Sequence, residues 1–328
     1  MMDSILTNIS IGRLKLGQKI PSINGLSEEF LLSRDTVEKA YRILKKQKVI
    51  VSVKGKGFYI ANTDLTVKIN ILFLINKLSA YKMHVFNAFM SELGANVKVD
   101  LDIYHCKPDL FNNIINKKKD LYEYFVIMPH FISDSMQHMG CTDEILKSLM
   151  SIPEDKLIVL DRNLKGVGDN VGRVYQNFTE DIYSALNKNY GKLEKYKKII
   201  LVYPNKAVYP YPKGIVTGFK RFCIYHDKDF EILDEIYDNM DVQLQDLYII
   251  IEEHDLVNLV KQARFKKIKL GQDFGIISYN DTQLKELLGI TVISTNFEKM
   301  GQEAAKMILN KKNDNIKNEF DFIDRYSI

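Results

Sequence analysis

The chain has 328 residues, 46% apolar and 27% charged, with a formal net charge of +4, a globular composition long enough for two or three domains that excludes collagen and disorder. Its longest apolar runs, such as 69–75 and 248–251, fall far short of the roughly 18 to 20 residues that span a bilayer, which excludes an integral membrane protein. Asp3, Asn8, Arg13 and Lys15 break up residues 1–16, so a cytoplasmic protein is expected; Cys106, Cys141 and Cys223 are odd in number and widely spaced, so reduced thiols and no metal or cofactor are expected.

Charge is unevenly distributed. Residues 1–62 hold eleven Lys and Arg against five Asp and Glu, a balance of +6, whereas the remainder sits at −2. A polyanion-binding module beside a neutral one gives this asymmetry, and so does a solvated basic surface. Leu6, Ile9, Ile11 and Leu14 ahead of Gly17 predict a short helix, followed by extended Lys19-Ile20-Pro21. Ser22 is placed to cap a second helix reaching about Phe30, and Ser33 to cap a third over 34–47 with Asp35 in its first turn. In the third, Val37, Ala40, Tyr41 and Leu44 recur at helical spacing and predict one buried stripe, opposite Arg34, Glu38, Arg42 and Lys45. Runs 49–53 and 58–61 around Lys54-Gly55-Lys56-Gly57 predict a hairpin bent at glycine. Three helices and a hairpin make a winged helix-turn-helix, which reads DNA or, in some settings, binds protein. For DNA, Ser33, Arg34 and Thr36 at a helix N-terminus suit the major groove, while Lys54 and Lys56 suit phosphate neutralisation by the wing.

The ordered set Gly17-Gln18-Lys19-Ile20-Pro21-Ser22, Leu26-Ser27, Ser33-Arg34-Asp35-Thr36-Val37, Ala40-Tyr41, Leu44 and Gly55-Lys56-Gly57-Phe58-Tyr59-Ile60 resembles the GntR-type winged helix domain. The resemblance implies DNA contacts from Ser22, Ser33, Arg34, Thr36, Lys56 and Gly57. Asn24 stands where that family usually has an arginine, and is a further candidate contact.

From residue 67 onward, apolar strands alternate with amphipathic helices, the pattern of a mostly parallel sheet. Strands are predicted over 69–75, 97–104, 124–128, 157–160, 199–203, 232–236, 247–251, 274–278 and 291–294. Nine strands suggest two Rossmann-like lobes split after about Asp161, with a helix over 298–309 crossing back. The fold class is therefore α/β: a winged helix over 1–62, a linker over 63–66, and a two-lobed unit over 67–328. Ligands of such sheets sit beyond the carboxyl ends of the strands. That draws in Tyr81 and Lys82, His130, Asp161 and Arg162, Tyr209 to Lys213, Glu252 to Asp255, and Tyr279 to Asp281. Carboxylates, amides and tyrosine faces suit a polyol, although Asp161 and Asp255 would equally serve as helix caps. No GxSxG, HExxH, Walker or GxGxxG pattern occurs, and the six histidines lack metal-ligand spacing, so no catalytic residue and no metal are expected.

The segments Phe274 to Thr282, Gly289 to Phe297 and Met300 to Ala305, with Val159-Leu160-Asp161-Arg162 and Thr217-Gly218-Phe219, resemble the effector domain of LacI-type regulators, a periplasmic-binding-protein-like fold. The resemblance implies that Asp161, His254, Asn280 and Phe297 face the effector. Asn280 replaces a usual aspartate, and Ile215 a frequent sugar-binding arginine whose part Lys213 would take. The effector candidates are then Tyr81, Lys82, His130, Asp161, Arg162, Lys213, Glu253, His254, Asn280 and Phe297. Together the two resemblances imply a homodimeric regulator, a repressor of sugar catabolism. It would bind double-stranded operator DNA and a monosaccharide, with L-fucose or a pentose preferred. A solute-binding protein without DNA activity and a sugar-phosphate enzyme are the alternatives.

Overall fold

The computed structural model describes residues 2–46, 48–63, 69–94, 97–133, 138–205, 207, 209 and 211–328, with backbone alone for residues 2, 3, 10 and 138. The chain divides into two units, residues 1–68 and 69–328. Residues 64–66 of the expected linker, Gln47 at the expected end of the third helix, and Pro210 lie outside the described residues. Among the described residues no helix is long and apolar enough to cross a membrane.

The first unit holds helices Met2–Ser10, Ile23–Glu29 and Arg34–Lys46. Its antiparallel sheet has Gly57–Ile60 between Lys19–Ile20 and Ile50–Val53. The caps form as the sequence predicts: Ser22 Oγ accepts from Gly25 N at 3.1 Å and Ser33 Oγ from Thr36 N at 3.2 Å. Val37, Tyr41 and Leu44 are buried against Ile5, Ile9, Ile20, Leu26 and Ile60, each large side chain contributing roughly 1.5–3 kcal/mol by leaving water. Ala40 is only half-buried, and the first helix stops at Ser10, leaving Ile11 exposed. Tyr41 ties helix to wing, its ring edge-on to Phe58 at 4.7 Å and its hydroxyl donating to Pro21 O at 2.7 Å.

Between the second and third helices Leu31 has φ 52° and is 92% exposed. A left-handed conformation costs a residue with a Cβ about 1–2 kcal/mol, against about 0.5–1 kcal/mol for the extra unfolded-state freedom of glycine. Leu31→Gly should therefore stabilise the winged helix by about 0.5 kcal/mol, raising its melting midpoint by roughly 2–4 °C in a thermal scan. An unchanged or lower midpoint would show that Leu31 gains from contacts what its backbone loses.

The second unit has two six-stranded sheets. One runs Asn315–Lys317, Gly172–Gln176, Leu157–Arg162, Tyr124–Ile127, Ile69–Ile75, Val97–Ile103, all parallel. The other runs Asp229–Leu233, Lys198–Val202, Asp246–Ile250, Gly275–Tyr279, Thr291–Thr295 in parallel, with Phe320–Ile323 added antiparallel. Residues 71–75 are fully buried, as a central strand covered by helices on both faces requires. The chain leaves the first lobe after Gln176 rather than after Asp161, because Gly172–Gln176 pairs with Leu157–Arg162. The strand expected over 232–236 lies at Asp229–Leu233, while the Ile236 amide is held by Asp255 Oδ1 at 2.8 Å. Helix Phe297–Asn310 returns to the first lobe and packs along Ala80–Leu93. Three segments thus join the lobes, at Asn177, Asn296 and residues 318–319. They are stitched together where Asn318 Nδ2 donates to Asn296 O (2.8 Å), Asn318 N to Tyr175 O (2.8 Å) and Asn296 N to Glu319 O (3.0 Å).

Candidate functional site

In the first unit Asn24, Ser33, Arg34, Thr36, Lys54 and Lys56 are all exposed, as is Ser22. Arg34 opens the third helix and forms no ion pair among the described residues. The hydroxyls of Ser33 and Thr36 are 2.7 Å apart, so each is already engaged by the cap, and Arg34 is left as the long free donor of this helix start. Gly55 (φ 72°) and Gly57 (φ 103°) supply the left-handed bends of the wing; a Cβ on Gly57 would lie 3.2 Å from Lys19 Cε.

In the second unit a cavity of about 50 Å³ lies between the lobes at the carboxyl ends of the strands. It brings together Tyr81, His130, Asp161, Asn280 and Phe297 from the candidates, and adds Asn76, Gln176, Phe178, Tyr211 and Tyr279. Asp161, at φ 73°, turns its carboxylate onto His130 Nε2 (2.5 Å) and Gln176 Nε2. Burial pushes His130 down to about 4, outweighing the raising effect of Asp161. Burial alone would raise Asp161, but the charge and hydrogen bond of His130, then Lys82 and Gln176, more than offset it and hold the carboxyl below its ordinary range. Tyr104 fixes the loop, its hydroxyl accepting from His130 N (2.8 Å) and donating to Met128 O (2.7 Å). Asn280, at φ 64°, is held by Lys285 Nζ, which donates to Tyr279 O (2.9 Å) and Asn280 O (2.8 Å).

Aromatic contacts close this space. Tyr81 stacks on Phe297 with centroids 4.8 Å apart, and Lys77 Nζ lies 4.9 and 5.3 Å from the rings of Tyr209 and Tyr211. Tyr211 is anchored by its hydroxyl to Glu252 Oε1 at 2.6 Å. Asn76 Oδ1, Gln176 Oε1 and Tyr279 OH line the cavity buried and without a hydrogen-bond partner among the described residues, an arrangement that water or a ligand must satisfy. At about 10–15 Å³ per water the space holds about three to five waters.

The other candidates are placed elsewhere. Glu253 lines a recess of about 630 Å³ with Glu252, Asp281 and Lys285. Arg162 and Lys213 line a different recess of about 460 Å³, and His254 a third beside Asp234 and Asp255. Lys82 is fully buried outside the lining of the cavity, and its Nζ has no hydrogen-bond partner among the described residues. Asp161 and Asp255 cap no helix; both spend their carboxylates on other loops. Gln176 and Asn76 were not foreseen: Gly172–Gln176 has only Val174 and Tyr175 as strand-forming side chains, and Asn76 directly follows its strand.

Burial pulls Lys82 down to about 7, with Asp161 opposing. Its folded value lies below the unfolded one, so the unfolded chain binds more protons between about pH 7 and 10.5, and stability must rise with pH through that window. Lys82→Met should stabilise the protein at pH 7, and its advantage over the parent should shrink by about 2 kcal/mol at pH 9. Urea midpoints at the two pH values test this; a constant advantage would mean that Lys82 is solvated.

Residues 2–60 match the bacterial regulatory proteins of the gntR family. Residues 2–60 form a gntR-family domain. The gntR-type segment is 40% identical over 58 residues to the mannosyl-D-glycerate transport/metabolism system repressor MngR of Escherichia coli (strain K12), covering 18% of this chain and 24% of that protein. It is 34% identical over 55 residues to the HTH-type transcriptional repressor YtrA of Bacillus subtilis (strain 168), covering 17% of this chain and 42% of that one. The chain thus matches less than half the length of either curated relative. Among solved structures, the LacI family transcriptional regulator of Lactobacillus casei with bound sucrose aligns with TM-score 0.62 and 11% identity, covering 79% of this chain and 99% of that one. The trehalose repressor of Escherichia coli gives 0.61 and 14%, covering 78% and 99%. The periplasmic binding protein/LacI regulator of Alkaliphilus metalliredigens complexed with D-xylulofuranose gives 0.56 and 14%, covering 79% and 99%. The α/β unit has the LacI-type, periplasmic-binding-protein-like fold. The proteins named here that align with either part are described as transcription regulators or repressors.

Proposed function

We propose that this protein is a cytoplasmic transcription repressor whose hold on operator DNA is set by a monosaccharide bound between the lobes of its α/β unit. The observation that carries the reading is the combination, in one chain, of a gntR-type domain presenting Arg34 and a wing of lysines with a sugar-regulator fold whose inter-lobe cavity keeps unpartnered polar atoms. Ser22, Asn24, Ser33, Arg34, Thr36, Lys54, Lys56 and Gly57 meet the DNA. Asp161 accepts sugar hydroxyls, His130, Gln176 and Asn280 donate to or accept from others, and Tyr81, Tyr279 and Phe297 cover the C–H faces. Arg162 and Lys213 act from the neighbouring recess, Lys82 through its charge on Asp161, and Glu253 from the recess that it lines with Glu252. L-fucose or a pentose is the preferred ligand, and the sensor lobes form the homodimer. A tenfold change in operator affinity needs only about 1.4 kcal/mol of differential sugar binding between two states.

Fluorescence anisotropy with DNA from upstream of the protein's own coding region tests this. Affinity should fall steeply between 50 and 200 mM salt, as counterion release demands, and a panel of monosaccharides should contain one that lowers it at least tenfold. Absence of salt-sensitive binding would remove the DNA reading. Binding that no sugar alters would remove the sensing one.

A further inference from the structure

Next to the cavity between the lobes, and sharing Gln176, Phe178 and Pro212 with it, is the recess of about 460 Å³ lined by Arg162, Lys165 and Lys213. Its charge is one-sided, since no Asp or Glu is among its lining residues. None of the three cations has an ion-pair partner among the described residues: Arg162 spends one guanidinium nitrogen, Nη1, on Met139 O at 3.4 Å, and Lys165 and Lys213 stand exposed. Some cations elsewhere in this unit are neutralised, as where Arg325 meets Asp281 through two bonds of 2.9 and 2.8 Å and Lys317 meets Asp181 at 2.9 Å. Three unpaired cations around one concavity repel each other unless an anion joins them. The opposite recess has the reverse character, with Glu252, Glu253, Asp281 and Glu286 against Lys285 and His84. Between them Gln176, 6% exposed with a partnerless Oε1, borders both the cavity and the basic recess and would take a ligand hydroxyl donor on the way from one to the other.

We propose that the effector is a polyol carrying an anionic group, a phosphate or a carboxylate, with its hydroxyls at Asp161 and Gln176 and its anion in the recess of Arg162, Lys165 and Lys213. This rests on the reading of the cleft as a sugar site and names the class of sugar. Arg162 supplies the planar fork that suits either anion, and the two lysines supply charge without fixed geometry. The neutral sugars considered above leave this recess to solvent and its three cations unneutralised.

The test is calorimetric titration of the full chain at 50 mM salt with matched sets: glucose, glucose 6-phosphate and gluconate; ribose, ribose 5-phosphate and ribonate; and inorganic phosphate alone. In at least one set an anionic member should bind ten or more times tighter than its neutral parent, with the ratio falling at 500 mM salt. The phosphate and carboxylate arms identify which anion is taken. In Arg162→Gln and Lys213→Gln proteins the same ratio should fall to within threefold. A neutral parent that binds as tightly as its anionic partners overturns the anionic arm and leaves the sugar site standing. Inorganic phosphate binding as tightly as the sugar phosphates also overturns it, as an anion site without a polyol. No binding by any member, or by L-fucose titrated beside them, overturns both readings.

Discussion

Urea unfolding of a Gly301→Val protein is expected to show a loss of about 3 kcal/mol, the upper end of the usual overpacking cost, in the α/β unit, with effector binding gone under conditions where the parent is folded. Gly301 sits where helix Phe297–Asn310 crosses Ala80–Leu93. A Cβ there would run into the backbone oxygen of Val85, lie 2.8 Å from Phe89 N and 3.0 Å from Ala88 Cβ. Backbone atoms of a packed helix cannot step aside as a side chain can, so one helix must lift off the other. Lifting strips Met300, Ala304, Ala305 and Ile308, all buried in the first-lobe core, of their packing partners. It also drags Phe297, which lines the cavity, and Asn296, which is tied to Asn318. Gly301→Ala should cost less, because a single methyl asks for a smaller displacement. A valine variant that unfolds within 1 kcal/mol of the parent would show that the crossing has slack.

Replacing Arg34 with alanine is expected to weaken specific operator binding by about 1–3 kcal/mol, roughly 5- to 150-fold, and to relax discrimination at one base pair. The side chain stands exposed at the first residue of its helix. A cation there opposes the helix dipole, so its removal should leave the winged helix as stable as before or slightly more so. Lost binding therefore cannot be charged to unfolding, and a thermal scan of the same sample verifies the point. Lys56→Ala should behave differently: specific and non-specific affinity fall together, and the slope of log affinity against log salt decreases by about one. Equal losses on operator and random DNA in the Arg34→Ala protein would reassign Arg34 to phosphate contact.

The winged helix was largely legible because its signals are local. Ser22 and Ser33 announce caps that form as spelled, and the Val37, Tyr41, Leu44 spacing gives the buried face directly. In the α/β unit, strand 69–75 could be read to the residue because a run buried on both faces is continuously apolar. Gly172–Gln176, Asn315–Lys317 and Phe320–Ile323 could not. The last two lie at sheet edges with one side in water, and the first alternates glycine, arginine and glutamine among two strand formers. Missing them misplaced the crossing between lobes and hid Gln176. Lys82 was unreadable for another reason: lysine is normally exposed, and only tertiary packing of Ala80–Leu93 buries it completely. His254 illustrates the reverse error, since a polar residue just past a strand end has a choice of sides, and the fold turned it toward Asp234 and Asp255.

The threefold passage of the chain between its lobes has a consequence for how the protein comes into being. Residues 315–317 complete one sheet and residues 320–323 the other, so neither lobe is whole until that stretch has left the ribosome. The winged helix, read from residues 2–60, is made far earlier and carries its own core. During synthesis there is accordingly an interval in which a nascent chain has a finished winged helix and no finished α/β unit, and slow translation near residue 300 would lengthen it.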